Sequence, residues 1–228
     1  MAVLEWDKTG QRDIESGISK VVLFVAKQNP TANENPYEAG VAWNGITGIS
    51  ENPGGADLTD LYADNIKYAS LRAAENFSCT IEAFTYPDEW NECDGSTEAE
   101  TGVFLGQQTR RAFALCYRTE IGDDQHPGMN KGYKIHFVYN LTASPSGRSY
   151  ATINENPDAI SFSWDASSTP VNVSGTNYKA VSTITIDSTK ADATKLGTLM
   201  DIVYGTGTGT GGTDSSMPTP AIVLSTMT

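Results

Sequence analysis

Cysteine, histidine and long apolar runs are scarce in this sequence, and each scarcity removes a class of protein. The 3 cysteines, Cys79, Cys93 and Cys116, lie at irregular spacings without a C-x-x-C pair, so neither a disulfide framework nor a zinc site is written in their positions. They read as free thiols of a chain made in a reducing cytoplasm. The 2 histidines are His126, in a GDDQHPG turn, and His136, in an alternating apolar segment. Either would have to serve any catalytic triad, and no G-x-S-x-G elbow accompanies them. The opening residues MAVLEWDKTGQRD carry charge where a signal peptide needs an apolar stretch, and no later segment reaches bilayer-spanning length. The expectation is a soluble chain with no membrane contact. Without a secretory route, the sequons at Asn76, Asn140 and Asn172 read as strand composition.

Positive charge is also in short supply. Lys and Arg total 15 against 28 Asp and Glu, a formal net charge of −13. The imbalance is local: residues 51–100 hold 12 acids with only Lys67 and Arg72 as bases, whereas 101–150 carry 6 bases against 3 acids. Such a chain has no broad attraction for phosphate, which argues against ordinary nucleic-acid binding through counterion release. The glycine run GTGTGTGG lacks the Gly-Lys-Ser/Thr that reaches phosphate and magnesium, and reads as a linker. The run DEWNECDGSTEAE gathers Asp88, Glu89, Glu92, Asp94, Glu98 and Glu100, but aligning Gly95 with the EF-hand glycine puts Trp90 and Thr101 at the terminal ligand positions. No catalytic residue, metal site or cofactor is therefore expected, and the chain does not read as an enzyme. Trp6, Trp43, Trp90 and Trp164 are scattered, and a tryptophan in an alternating strand is more often core than a sugar platform. A β-sandwich carbohydrate-binding or adhesion module is the alternative reading.

Alternation with period two, in segments rich in Thr, Val, Ile, Tyr and Phe, is what the sequence has in abundance, and it predicts half-buried antiparallel strands. Phe77, Cys79, Ile81 and Ala83 oppose Asn76, Ser78, Thr80 and Glu82. Phe113, Leu115 and Tyr117 oppose Ala112, Ala114, Cys116 and Arg118, and Ile135, Phe137, Tyr139 and Leu141 oppose Lys134, His136, Val138 and Asn140. Phe162 with Trp164, and Ile184 with Ile186, continue the pattern. One dry face and one wet face argues for antiparallel sheet. Leu196, Leu199, Met200 and Val203 recur at helical spacing ahead of Gly205, predicting one amphipathic helix on the sheet. PDEWNECDG is a second, very short helix candidate. Residues 28–40 read as a loop, 205–213 as a flexible linker, and 214–228 as a C-terminal arm ending in a strand. A single domain over 1–228 is expected, since mainly-β chains of this length commonly form one unit.

These segments, taken in order, resemble the major tail protein (tail tube protein) family of long-tailed, non-contractile bacteriophages and phage-tail-like particles of Gram-positive bacteria. The resemblance runs from WDKTGQR to the helix ending at DIVYG, residues 6–205, and is most specific in TIEAFTYPDEWNECDG followed by LGQQTRRAFALCYRT. It implies an antiparallel β-sandwich or partial barrel with one flanking α-helix, assembled as homohexameric rings stacked into a tube. It further implies a structural virion protein of the tail, assembled in the host bacterial cytoplasm beside a tape measure protein and tail-terminating or baseplate proteins. Double-stranded DNA would pass through during ejection without specific binding. DNA carries one negative charge per roughly 1.7 Å of duplex, so an acidic wall repels it and does not grip. Glu82, on a wholly polar strand face, with Asp57, Asp60 and Asp64 ahead of it, are the expected lumen-lining acids. Ala221, Ile222, Val223 and Leu224 are the expected inter-ring arm.

Overall fold

The computed structural model describes residues 3–31, 34–126, 128, 130–152, 159–175, 177–207 and 211–228. In chain order its strands are β1 (Ile14–Val25), β2 (Val41–Ala42), β3 (Ile46–Glu51), β4 (Gly54–Gly55), β5 (Leu58–Ala63), β6 (Ile66–Arg72) and β7 (Glu75–Ala83). The one-turn helix α1 (Trp90–Cys93) leads into β8 (Thr97–Glu100), β9 (Val103–Leu105), β10 (Phe113–Gly122), β11 (Gly132–Ala143), β12 (Phe162–Ser168) and β13 (Thr183–Asp187). Two helices close the chain, α2 (Ala193–Tyr204) and α3 (Pro220–Met227). The fold is mainly β and its sheets are antiparallel, as the alternation predicts.

The main sheet runs β2-β1-β10-β11-β12-β7-β3 and forks along β11: β13 pairs with Lys134–Val138, while β12 pairs with Leu141–Ala143. The fork lets β1 and β10 curl over β7 and β12, so that Leu23, Ile81, Phe113, Leu115, Leu141 and Trp164 share one interior with Trp90 of α1. This is the first core. A second core lies on the other side of β1, β10 and β11, where Phe24, Cys116, Phe137 and Tyr139 meet Leu196, Leu199 and Val203 of α2. Asp192 starts α2 by accepting from Thr194 N and Lys195 N, and Gly205, at φ 76°, ends it, the cap chemistry that a helix of this length needs.

Three departures from the expected pattern have physical causes. First, β10 has no wet face: Ala114 and Cys116 are as buried as Phe113 and Leu115, because small side chains on that side let α2 and the C-terminal segment pack close. Second, Leu141 leaves the face of Ile135, Phe137 and Tyr139 and joins Val138 in the first core. Phe113 pairs with Leu141 and Leu115 with Val138, so β11 carries one extra residue, and Asn140 absorbs it at φ 48°. Asn is among the few residues that visit this left-handed region, and its Nδ2 donates to Thr169 O at 3.1 Å.

Third, the final segment is a helix and not the expected strand, so two helices flank the sheet. The Thr219 side chain accepts from Ile222 N, and Pro220 occupies the first turn, where its missing N–H costs nothing. Burial of Met217 and Val223 against α2 outweighs the strand preference of the β-branched run. The linker ahead of it is drawn shut: Thr206 N donates to Thr213 O at 3.0 Å; residues 208–210 of the expected linker lie outside the described residues. The 28–40 loop, apart from 32–33, which are not described, is fastened as well. Tyr37 is buried with its hydroxyl accepting from Asn140 N, and Asn35 Nδ2 donates to Met217 O at 2.9 Å.

Candidate functional site

Three surfaces stand out on this frame. The first is the solvent face of β3, β7 and β12. Because Phe77, Cys79, Ile81 and Ala83 point into the first core, Asn76, Ser78, Thr80 and Glu82 point away from it. Directly paired neighbours share that face: Ser163 and Gly48 flank Glu82, Asp165 and Ser50 flank Thr80, and Ser167 lies beside Ser78. Thr80 Oγ1 donates to Asp165 Oδ1 at 2.7 Å. None of the three strands contains a Lys or Arg. The result is a band of hydroxyls and carboxylates with no cation.

The second surface is the hairpin β5–β6, which pairs only with itself. Its two-residue turn, Asp64 at φ 51° and Asn65 at φ 59°, needs the left-handed backbone that Asp and Asn tolerate, and its twist suits a tight hairpin. One face mixes charge with the exposed Leu58 and Tyr62: on it Asp60 pairs with Lys67 at 2.7 Å and accepts from Ser70 Oγ at 2.6 Å. These contacts, Lys67 foremost, hold the Asp60 carboxyl below its ordinary range. On the other face Thr59 pairs with Leu71, Leu61 with Ala69 and Ala63 with Ile66. That face is dry in composition yet open to water, with Leu61, Ile66 and Leu71 exposed by 43%, 64% and 58%. An isolated two-stranded hairpin is marginal in water, and uncovered apolar faces of this kind mark interaction surfaces.

The third is the hairpin β8–β9, again paired only with itself. Gly102, at φ 78°, turns it, and its N–H donates to Glu98 Oε1 at 2.8 Å. Val103, Phe104 and Leu105 are each about half exposed, beside Glu98 and Glu100.

The four acids expected to act together are not brought together. Glu82 lies on the sheet face, Asp60 and Asp64 lie on the β5–β6 hairpin, and Asp57 sits just before it. Of the expected arm, Val223 is buried in its own chain, while Ile222 is exposed. The segment is anchored by Tyr139 Oη donating to Pro218 O at 3.1 Å and by Ser216 N donating to Ile202 O at 2.8 Å. The bases of 101–150 do not stand free: Arg110 and Arg148 bind Asp94, Arg111 binds Glu92 and Glu38, Arg118 binds Glu120, and Lys134 binds Glu15. Lys131 bridges Asp13 and the buried Asp123. They offset part of the acidic stretch before them, whereas Glu82 on the sheet face and Asp57 and Asp64 beside the β5–β6 strands have no cation partner among the described residues.

The remaining singled-out residues are structural. Trp43, Trp90 and Trp164 pack against one another in the first core, so no indole face among them is open to a sugar; Trp6 is exposed. His136 stacks on Tyr117 at 4.8 Å, and burial lowers its pKa. His126 Nδ1 lies 2.7 Å from Asp123 Oδ1. Burial alone would raise the Asp123 carboxyl, but bonds from His126, Lys131 and the backbone N–H groups of Gln125 and His126 outweigh it and hold the group well below the ordinary range. Cys79 and Cys93 are buried, which pushes both thiols up to about 12, and Cys116 is raised as well. Among the described residues no group of His, Cys, Asp and Glu converges to hold a metal ion, and no helix is long and apolar enough to cross a membrane. The hairpin residues Leu61, Ile66, Leu71 and Phe104 escape a strand-by-strand reading; the Asp64-Asn65 pair between two alternating runs was the available signal. Searches against protein-family models and curated proteins find nothing that matches the chain.

Proposed function

We propose that this chain is a structural subunit that assembles with copies of itself into stacked rings, forming the tail tube of a long-tailed bacteriophage or phage-tail-like particle. The observation that carries the reading is the β5–β6 hairpin, whose apolar face is finished in sequence and uncovered in a single copy. A face of that kind is stable when a neighbour covers it. A contact between two different patches of the same chain gives a ring where its rotation closes, and a second such contact along the axis stacks the rings without limit. The cation-free face of β3, β7 and β12 suits the wall of a conduit for duplex DNA, because fixed Lys or Arg would retain phosphates that must slide past.

Sedimentation velocity over a range of concentrations tests the reading. The wild-type chain is expected to shift from monomer to large species as concentration rises. Leu61→Asp with Leu71→Asp is expected to remain monomeric and folded, since both sites are exposed. A wild-type chain that stays monomeric at every concentration and salt would remove the proposal's support.

A further inference from the structure

The connection between β2 and β3 contains the sequence's single Asn-Gly pair, Asn44-Gly45. Glycine is obligatory there. Gly45 lies at φ 80°, and a Cβ on it would meet Thr85 Cγ2 at 2.6 Å, so both the backbone angle and the space exclude a side chain. Asparagine is not obligatory. The Asn44 side chain is exposed and makes no hydrogen bond among the described residues, and the Gly45 N–H has no acceptor among them. We propose that Asn44 is a site of spontaneous deamidation in the folded chain. The Gly45 backbone nitrogen attacks Asn44 Cγ, its proton leaves with the side-chain amide as ammonia, and a cyclic succinimide remains. Water opens that ring at either carbonyl to give aspartate or isoaspartate, so the net change is uptake of one water and loss of one ammonia. Glycine leaves its nitrogen unshielded, and exposure supplies the water. The single Asp-Gly pair, Asp94-Gly95, is the contrast within the same chain. Ring closure there would release water, but the Asp94 carboxylate has 9% side-chain exposure and is held by Arg110 and Arg148. A carboxylate shared by two guanidiniums is not free to swing onto its own backbone. The two products at Asn44 differ in what they do to the fold. Trp43 N donates to Val21 O at 2.9 Å on one side, and Gly45 O accepts from Phe84 N at 2.8 Å on the other. Aspartate keeps that backbone and adds a negative charge ahead of β3. Isoaspartate routes the backbone through the side chain, and the lengthened connection no longer matches the spacing of its anchors.

The chemistry belongs to the single chain and stands or falls apart from assembly. The purified full chain, kept dilute so that copies do not cover the site, is incubated at mildly alkaline pH and sampled by peptide mapping with mass spectrometry. A protein isoaspartyl methyltransferase with a labelled methyl donor reports the isoaspartate. Conversion at Asn44 is expected to run at least about tenfold faster than at Asn65, an exposed turn asparagine whose successor, Ile66, is β-branched and shields its nitrogen. No isoaspartate is expected at Asp94. Asn44→Ser is expected to abolish the signal without shifting the melting temperature. The aged chain is expected to melt below Asn44→Asp, which carries the charge without the longer backbone. Conversion at Asn44 no faster than at Asn65, or conversion only in urea, overturns the proposal. A lower melting temperature for Asn44→Ser overturns it too, because the fold would then be holding the side chain. An aged chain that melts together with Asn44→Asp overturns the claim that isoaspartate strains the anchors.

Discussion

Replacing Met217 by Ala asks whether the C-terminal segment belongs to its own subunit or waits for a neighbour. Met217 is fully buried in the core that also holds Tyr139 of β11, Leu199 and Val203 of α2, and Val223. Truncating a buried Met to Ala costs about 2–5 kcal/mol through lost transfer energy and the cavity left behind. For a 228-residue chain this lowers the melting temperature by about 4–20 °C. The assay is thermal or urea unfolding at a dilution where the chain is monomeric, so that contacts between copies contribute nothing. Ile222→Ala, at an exposed position on the same helix, serves as the control and is expected to change stability by no more than about 0.5 kcal/mol. A loss below about 1 kcal/mol for Met217→Ala would refute the reasoning. The segment would then be undocked in the single chain, and its role would lie between subunits.

Two further outcomes follow from the charges. Asp123 has a depressed pKa in the folded chain, so its stabilisation is complete above the unfolded aspartate value of about 4 and drains away as pH falls toward the folded value. The stability gap between wild type and Asp123→Asn, measured by urea unfolding, is therefore expected to be largest near neutral pH and to shrink below about pH 4; a gap that does not vary with pH would contradict the assignment. On the sheet face, Glu82→Lys leaves the exposed site within about 0.5 kcal/mol of wild-type stability but puts a cation on a face that has none. In assembled particles it is expected to slow DNA ejection at low salt and less so at high salt, and unchanged ejection would take Glu82 off the wall.

The strand alternation carried most of the fold because it reports burial directly. In β7 every second side chain, Phe77 through Ala83, is buried as the pattern requires. The same rule misled at β10, where FALCY is a continuous apolar run, the sign of a strand covered on both sides. Ala114 and Cys116 are small because helices lie over them. At β11 the inversion of Leu141 depends on one left-handed backbone angle at Asn140, which residue type permits but does not announce. The last helix departs from the strand expected there for a different reason. Its β-branched residues suggested a strand, although Thr219-Pro220 is a helix-start pair. The site was less legible than the fold. Glu82 lies on the polar strand face that the alternation predicts, but Asp57, Asp60 and Asp64 are near it only along the sequence, and the β5–β6 hairpin holds Asp60 on a separate sheet and Asp64 in its turn. Local pattern reports which face of a strand is dry; whether that face is covered by the same chain or by another depends on topology.

The central claim is that this chain builds a tube from copies of itself, and electron microscopy of the concentrated, purified wild-type protein in negative stain tests it most directly. The account predicts rings of uniform diameter with an axial hole, alone or stacked into tubes, that are lost in the Leu61→Asp, Leu71→Asp variant. A field of monodisperse globules at every concentration and salt tried would contradict it.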